Sequence, residues 1–242
     1  MGQEQSPVFA LIPAAGAGKR MGAEVPKQYL PLLGKPILEH TLARFVGSEK
    51  IKRVVVTVAA DDDMFPRLCP SLLEQCTIIT GGAERCDSVI AGLDHLRKSE
   101  PDDSWVLVHD AARPCIQQHD IDKLIQVLVG NRVGGLLAAP VSDTIKDCSL
   151  DGLIRKTIDR TSLWRALTPQ MFRLGLLQEA LAVSIKNGLV VTDESQAIEN
   201  AGFSSKIVEG SNDNIKVTRP EDIWLAEAIL TRHKVLQGDM DR

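Results

Sequence analysis

The first chemically suggestive segment, residues 13–21, is a run of small residues with cations behind it. Gly16 and Gly18 belong to a loop whose small residues would let a ligand approach the backbone closely. Arg20 and Lys27 follow, and backbone N–H groups beside fixed cations are what a polyphosphate requires. The segment therefore favours a phosphate-binding loop, although a tight strand-to-helix connection would also use these glycines.

Two common nucleotide-binding motifs are excluded at this loop. A Walker A lysine is followed by Ser or Thr, whereas Lys19 is followed by Arg20. The dinucleotide fingerprint needs a third glycine, and counted from Gly16 that place is held by Met21. A nicotinamide-dependent oxidoreductase would explain a glycine loop in an alternating fold, but its third glycine is missing here.

A second glycine-containing segment, residues 81–88, joins a predicted strand end to a predicted helix start. The pair Gly81 and Gly82 would let a flat base lie against the backbone. Ser88 follows within the first turn of that helix. The same residues also suit an ordinary turn and helix cap, so this segment alone leaves both interpretations open.

A third segment, residues 109–114, directly follows an apolar strand. An aspartate at the carboxyl end of a strand is well placed to hold Mg²⁺ against phosphate oxygens, because this hard cation takes carboxylate and substrate oxygens together. Asp110 is therefore the candidate metal ligand. Alternatively, Asp110 caps the following turn, and His109 is better interpreted as a packed or hydrogen-bonded residue than as a catalytic one.

A fourth segment, residues 213–220, carries an acid, a cation and a helix-starting proline. Most lysines are solvated surface residues. Lys216, however, stands in an otherwise apolar stretch before a helix N-terminus, which favours a lysine that faces an anion. Asp213 is the accompanying acid.

Short β-branched runs alternate with helical patterns over most of the chain. Continuous apolar strands separated by amphipathic helices are typical of a doubly wound, mostly parallel, Rossmann-like α/β sheet with helices on both faces. Ligands of such sheets bind beyond the carboxyl ends of the strands, where the first three segments lie. The strands are predicted at 8–12, 53–58, 77–80, 105–109, 135–140 and 206–208, and the helices at 36–47, 62–74, 85–98, 119–129, 173–187, 193–200 and 220–233.

Residues 142–160 break this alternation and predict a protruding β-hairpin arm. Asp151 and Gly152 form a hairpin-turn signal between two alternating stretches, 144–148 and 153–158. The arm has too few apolar residues to be stable as an isolated two-stranded unit. It folds back on its own domain or embraces a second subunit. With no repeat or linker elsewhere, residues 1–242 are predicted to form one domain that carries this arm.

Composition excludes several classes of protein. The 242 residues are 44% hydrophobic and 25% charged, as in ordinary globular proteins. A net charge of −4 excludes the positive field of a general nucleic-acid binder. The apolar runs are of strand length and the start lacks a signal-peptide pattern, so we expect no membrane association and a cytoplasmic location. The five cysteines have no metal or disulfide spacing and are expected to be reduced thiols.

Together, these segments resemble the 2-C-methyl-D-erythritol 4-phosphate cytidylyltransferase family over nearly the whole chain. The glycine loop alone would indicate only the broader nucleotidyltransferase superfamily. One departure is Ala83, which stands where relatives often have an acid. The matching segments are Pro13-Ala14-Ala15-Gly16, Pro26-Lys27-Gln28-Tyr29, Gly81-Gly82 with Arg85 and Ser88, His109-Asp110-Ala111-Ala112-Arg113-Pro114, Thr192-Asp193-Glu194, and Asn214-Ile215-Lys216-Val217-Thr218.

The resemblance implies an enzyme that transfers CMP from CTP to 2-C-methyl-D-erythritol 4-phosphate with Mg²⁺ as cofactor. It implies a homodimer in which the arm crosses to the neighbouring site. The implied nucleotide-binding residues are Ala14, Ala15, Gly16, Gly18, Gly82, Ser88 and Arg113. The implied catalytic residues are Arg20, Lys27 and Lys216, the metal ligand is Asp110, and the substrate-positioning residues are Thr144, Arg160, Thr192 and Asp213.

Two other functions stay open on the sequence. A ribitol 5-phosphate cytidylyltransferase of the same superfamily would share the glycine loop, the segment after Val108 and the arm, because both acceptors are polyol phosphates. A non-catalytic nucleotide-binding module would share the fold. The full set of charged positions favours the enzyme over such a module.

Overall fold

A computed structural model of the chain describes residues 6–16 and 25–240. Its centre is a seven-stranded sheet in the order β11-β7-β10-β6-β1-β4-β5. The strands are β1 (Val8–Pro13), β2 (Pro31–Leu32), β3 (Lys35–Pro36), β4 (Arg53–Val58), β5 (Cys76–Thr80), β6 (Trp105–Val108), β7 (Gly134–Pro140), β8 (Ile145–Cys148), β9 (Ile154–Ile158), β10 (Trp164–Arg173) and β11 (Lys206–Glu209). The helices are α1 (Ile37–Val46), α2 (Met64–Leu68), α3 (Arg85–Arg97), α4 (Gln118–Leu128), α5 (Leu174–Lys186), α6 (Glu194–Asn200) and α7 (Glu221–Met240).

The sheet is mostly parallel and doubly wound, which confirms the predicted fold class. β1 pairs in parallel with β4 and β6, β4 with β5, and β7 with β11. Successive β1 residues alternate between the two faces, so that Ala10 and Ile12 pack with α1 and α4 while Phe9 and Leu11 pack with α3 and α5. Both faces are therefore covered, and the carboxyl ends of the parallel strands provide the open edge.

β10 is the main difference from the sequence prediction. This ten-residue strand runs antiparallel between β6 and β7, in the middle of the sheet. No strand was predicted from the sequence here, and Pro169, which has no N–H to donate to a ladder, is unusual within a central strand. The pairing with β7 is irregular between Ala166 and Gln170, and this irregularity accommodates the proline within a central strand.

The predicted helix at 62–74 was also wrong in extent. α2 ends at Leu68 and a short 3-10 helix, Pro70–Leu72, follows. Pro70 explains the break, because it has no N–H for the helix and restricts the residue before it.

In the described part of the chain, helices of the length and apolarity that a bilayer crossing demands are absent.

Residues 142–160 include an antiparallel hairpin of β8 and β9, with Gly152 in its turn at a φ of +84°. This two-stranded sheet is separate from the central sheet. Three apolar side chains of this segment are solvent-exposed in the single chain, namely Leu150, Leu153 and Ile154. The hairpin is thus a protruding arm, as the sequence predicts.

Candidate active site

A cleft of about 500 Å³ opens at the carboxyl ends of β1, β5 and β6. This is the edge at which doubly wound sheets bind their ligands. Several residues that the sequence singles out lie together in its wall. They are Ala14, Ala15, Gly16, Lys27, Ser88, Asp110 and Lys216.

The loop after β1 is held by a buried glutamine. The side chain of Gln28 donates from Nε2 to the carbonyl oxygens of Ala14, at 2.7 Å, and Gly16, at 3.2 Å. Gln28 belongs to the short 3-10 helix Lys27–Tyr29, so the same contact places Lys27 beside the loop. No role was predicted for Gln28 from the sequence, although it belongs to the family-like segment Pro26-Lys27-Gln28-Tyr29. Gly18 and Arg20 lie outside the described residues.

The loop after β5 packs directly on this first loop. A Cβ at Gly81 would lie 2.8 Å from the Cβ of Ala15, and a Cβ at Gly82 would lie 2.2 Å from that of Asp87. Glycine is therefore required here for close approach. The backbone N–H of Gly82 donates to Oγ of Ser88 at 3.2 Å, which ties the loop to the first turn of α3.

Asp110 is the buried anion of the cleft. Its Oδ1 accepts from Nε of Arg85 at 3.0 Å, and its Oδ2 lies 2.8 Å from Nζ of Lys216 and 3.4 Å from Nε of Arg113. Burial by itself would raise the pKa of this carboxyl, but the three cations outweigh burial and hold the pKa well below its usual range. Asp110 is therefore ionised at any physiological pH.

Arg113 lies behind Asp110 and braces the site. Its Nη1 donates to the carbonyl oxygen of Asn214 at 2.7 Å, and the side chain of Asn214 donates to the carbonyl oxygen of Thr168 at 2.7 Å. Burial lowers the pKa of Arg113, and Asp110 opposes this shift. Among the described residues, the cleft wall does not include Arg113 or Gly82, but each contacts a residue of that wall, Asp110 and Ser88 respectively.

Lys216 is positioned by the residue that follows it. The N–H of Val217 donates to the carbonyl oxygen of Ala112 at 2.8 Å, and the Val217 side chain is buried against α7 residues such as Ala226 and Leu230. The segment therefore runs along the Asp110 loop. Lys216 is left with a partly exposed side chain that points into the cleft.

His109 is a structural residue. It is fully buried, with Nδ1 3.0 Å from Oγ1 of Thr168 and Nε2 3.2 Å from the carbonyl oxygen of Arg113. Burial lowers the pKa of its imidazole to about 3, so the ring is neutral. The hydroxyl of Thr168 also accepts from the N–H of Asp110 at 3.1 Å. His109 and Thr168 therefore fix the backbone that carries Asp110.

Four residues that the resemblance marked for substrate positioning lie elsewhere in the single chain. Within the described ranges, the cleft wall does not contain Thr144, Arg160, Thr192 or Asp213. Thr144 and Arg160 belong to the arm region and are exposed. The Thr192 hydroxyl donates to Gln196, and the Asp213 carboxylate pairs with Arg232 and His233 of α7.

Two charged residues of the site, Arg85 and Glu194, had no role predicted from the sequence. Arg85, at the start of α3, lines the cleft, and Glu194, at the start of α6, makes a two-point ion pair with it. Both stand in quoted family segments, which was the available signal. Their pairing depends on two helix starts 109 residues apart, a distance that sequence pattern does not reveal.

The cleft also suits a magnesium ion that arrives with a nucleotide. Asp110 offers an ionised carboxylate in the wall, and Mg²⁺ is commonly held by one or two carboxylates together with substrate phosphates and water. In the described part of the chain, no group of three or more His, Cys, Asp or Glu side chains could hold a metal. The donor set therefore fits a metal shared with phosphate and does not fit a closed structural site.

A small-residue loop, neighbouring cations and one carboxylate at the open edge of a doubly wound sheet are typical of a site that binds nucleotide phosphates. The family model for 2-C-methyl-D-erythritol 4-phosphate cytidylyltransferase matches residues 8–232. The chain belongs to this family and is a nucleotidyltransferase.

Individual relatives agree with this assignment. The chain is 52% identical over 222 residues to the 2-C-methyl-D-erythritol 4-phosphate cytidylyltransferase of Pseudomonas entomophila, covering 90% of this chain and 94% of that one. It is 48% identical over 228 residues to that of Klebsiella pneumoniae, covering 94% and 95%.

Solved structures also resemble the fold. A crystal structure of 4-diphosphocytidyl-2C-methyl-D-erythritol synthase matches with a TM-score of 0.81 at 35% identity, covering 94% of this chain and all of that one. The Thermus thermophilus cytidylyltransferase matches with a TM-score of 0.76 at 30% identity, covering 93% and 99%. The mostly parallel sheet with an inserted antiparallel strand therefore belongs to a known enzyme architecture.

Proposed function

We propose that this chain transfers CMP from CTP to 2-C-methyl-D-erythritol 4-phosphate in the cytoplasm. The products are 4-diphosphocytidyl-2-C-methyl-D-erythritol and pyrophosphate, on the non-mevalonate route to isoprenoid precursors. The observation that carries the proposal is the cleft, whose wall contains Lys27, Lys216 and the small residues 14–16, with Nζ of Lys216 2.8 Å from Oδ2 of Asp110. The family membership supplies the identity of the substrates.

The reaction is an in-line displacement between anions. An oxygen of the acceptor phosphate attacks the α-phosphorus of CTP, a new P–O bond forms, and the bond to pyrophosphate breaks. The nucleophile is already an anion, so no general base is needed. The barrier consists of charge repulsion and poor positioning, which fixed cations in a preorganised cleft relieve.

The nucleotide is proposed to lie against the two packed loops. Backbone groups of Ala14, Ala15 and Gly16 would contact phosphates, while Gly82 and Ser88 would border the base and ribose. Lys27 and Lys216 would face the reacting phosphates, and Arg113 would support the site from behind Asp110. Gly18 and Arg20 keep the roles that the resemblance implies, in nucleotide binding and charge stabilisation respectively.

Magnesium is proposed to be held by Asp110 and nucleotide oxygens. When bound, the ion neutralises phosphate charge. The chain keeps Asp110 ionised, and Oδ2 of this carboxylate is contacted by Lys216 at 2.8 Å and by Arg113 at 3.4 Å. The side chain of Lys216 is 38% exposed, so it would be able to turn from this oxygen towards a phosphate.

Pyrophosphate release tests the proposed reaction. The purified protein would be incubated with CTP and Mg²⁺, with methylerythritol 4-phosphate, ribitol 5-phosphate or no acceptor in parallel, and each reaction repeated with excess EDTA. We expect release that depends on methylerythritol 4-phosphate and stops on chelation. A preference for ribitol 5-phosphate would overturn the acceptor, and silence with both acceptors in folded protein would favour the non-catalytic module.

A second copy of the chain is the proposed partner of the arm. Leu150, Leu153 and Ile154 are largely exposed on a two-stranded unit that is separate from the main sheet. Such a unit is marginally stable without a surface to cover it. A homodimer would cover these residues and would carry Thr144 and Arg160 to the neighbouring cleft, with Thr192 and Asp213 as further substrate-positioning residues.

Mixing two inactive variants tests this crossing. We expect Arg160→Ala and Lys27→Ala to regain together about a quarter of wild-type activity, because random exchange makes half of the dimers mixed and each then has one intact site. Lys156→Ala, an exposed position on the same arm, should keep full activity alone. No recovery after subunit exchange verified by mass spectrometry would place both residues in one chain's site.

A further inference from the structure

We propose that Glu194 is a positioning residue for the reaction, because it holds Arg85 in place to fix Asp110. This inference rests on the proposed function and adds to it a charge outside the cleft wall. It predicts that the Arg85 guanidinium stays on protein carboxylates during the reaction and leaves nucleotide phosphates to the lysines.

The geometry around Arg85 uses every nitrogen of its guanidinium. Nη1 donates to Oε1 of Glu194 at 2.7 Å and Nη2 to Oε2 at 3.1 Å, while Nε donates to Oδ1 of Asp110 at 3.0 Å. Two parallel bonds of this kind give direction as well as energy. Burial opposes the charge on Arg85, but Glu194 and then Asp110 outweigh it and raise the pKa of the guanidinium.

Glu194 is itself held rigidly. It begins α6, and the preceding Asp193 caps this helix by accepting from the N–H of Gln196 at 2.9 Å. Gln170, from the central strand β10, donates to the Asp193 carboxylate at 3.0 Å and accepts from the N–H of Ser195 at 2.8 Å. The sheet therefore fixes the first turn of α6, and Glu194 is buried with only 2% of its side chain exposed.

The consequence lies in how the two oxygens of Asp110 are divided. Arg85 occupies Oδ1, so Oδ2 remains for Lys216, whose side chain reaches the cleft, and for Arg113, whose Nε lies 3.4 Å away. If Glu194 lost its charge, the Nη groups of Arg85 would be released within a cleft that binds phosphates. Arg85 would then compete with Lys216 and Lys27 for the nucleotide, in a position that the reaction does not use.

A purely structural ion pair would behave differently. Removing one partner of a buried pair leaves an uncompensated charge and destabilises the fold. That effect alone would weaken nucleotide binding and turnover together. A positioning role predicts opposite changes, namely slower turnover with tighter binding of free CTP.

The test compares Glu194→Gln with Glu199→Gln, an exposed acid on the same helix. We expect Glu194→Gln to lower kcat about tenfold and to bind CTP in EDTA several-fold more tightly by calorimetry, the scale of one charge-assisted hydrogen bond. Glu199→Gln should match wild type in both measurements. Equal turnover in Glu194→Gln and wild type, or weaker CTP binding in step with slower turnover, would overturn the proposal.

A double variant keeps the test sound if Glu194→Gln folds poorly. Replacing both partners, as Arg85→Gln with Glu194→Gln, leaves no unpaired buried charge. If Glu194 acts through Arg85, the double variant should lose no more kcat than Arg85→Gln alone; an additive loss would contradict the proposal. A wild-type protein that releases no pyrophosphate would overturn the proposed function instead, while CTP binding would still report on Glu194.

Discussion

We expect Lys27→Ala to lower kcat by at least about two orders of magnitude, the scale for loss of one preorganised group that stabilises developing charge. Lys27 lies in the cleft wall on a short helix whose next residue, Gln28, is bonded to the carbonyls of Ala14 and Gly16. The hydrogen bonds of Gln28 therefore hold the short helix that carries Lys27 against the small-residue loop after β1, which is proposed to bind phosphate. Steady-state pyrophosphate release with saturating CTP and acceptor measures the change.

Lys35→Ala is the matched control for this experiment. Lys35 follows on the same stretch of chain, but its ammonium pairs with Glu39 at the surface and its side chain is 61% exposed. A surface ion pair of this kind contributes little to the free energy of folding. We expect its kcat to stay within about twofold of wild type. A kcat for Lys27→Ala within that range would remove Lys27 from the mechanism.

Local patterns were sufficient to predict the elements that build the open edge of the sheet. The runs that predicted β1, β4 and β6 are mostly apolar because both faces of the sheet are covered there, whereas the edge strand β5 is only partly buried. The residues after these strands, including Gly16, Ser88 and Asp110, consequently meet in one cleft. These strands could be predicted because the burial that places them inside the fold also requires their residues to be apolar.

Long-range pairing is what the sequence could not reveal. β10 contains Pro169 and was missed, because an irregularity in its pairing with β7 is a property of the partner strands and not of the local sequence. That strand supplies Gln170, which fixes the start of α6 and hence Glu194. The bond from Glu194 to Arg85 could be found only after β10 and α6 were placed.

The position of Asp213 likewise depends on long-range contacts that the sequence does not reveal. The sequence places it three residues before Lys216, which suggests a shared cleft. In the structure Lys216 faces Asp110, whereas Asp213 pairs with Arg232 and His233 on α7. Spacing along an irregular segment does not determine which side chains share a face, because it has no repeating geometry.

Asp110→Asn is expected to lower kcat by about two to three orders of magnitude, at the upper end of the range for one electrostatic group. Asparagine has nearly the same shape, but one of its two terminal atoms is an NH₂ donor. That donor would face Arg85 on one side or Lys216 and Arg113 on the other. Arg85, Lys216 and Arg113 would lose the negative charge with which they all pair, and the proposed metal would lose its carboxylate ligand.

The same variant should be less stable at neutral pH, with a loss of about 2 kcal/mol in the free energy of unfolding, below the range for fully buried pairs because two of the partners are partly exposed. The sign of the pH dependence follows from the lowered pKa of Asp110 in the folded protein. An unfolded aspartate has a pKa of about 3.9, so the ionised form stabilises the fold above that pH and this contribution is lost as the pH falls through and below it.

Urea unfolding of wild type and Asp110→Asn at pH 7 and at about pH 3.5, just below the unfolded aspartate pKa, separates the charge from other effects of the substitution. We expect the stability difference between the two proteins to shrink at the lower pH, because wild type loses a contribution that the variant never had. A difference that stays constant would assign the loss to hydrogen-bond geometry and not to charge. A kcat for Asp110→Asn within tenfold of wild type would show that catalysis does not require Asp110. The surrounding cations would then be correctly placed without a carboxylate between them.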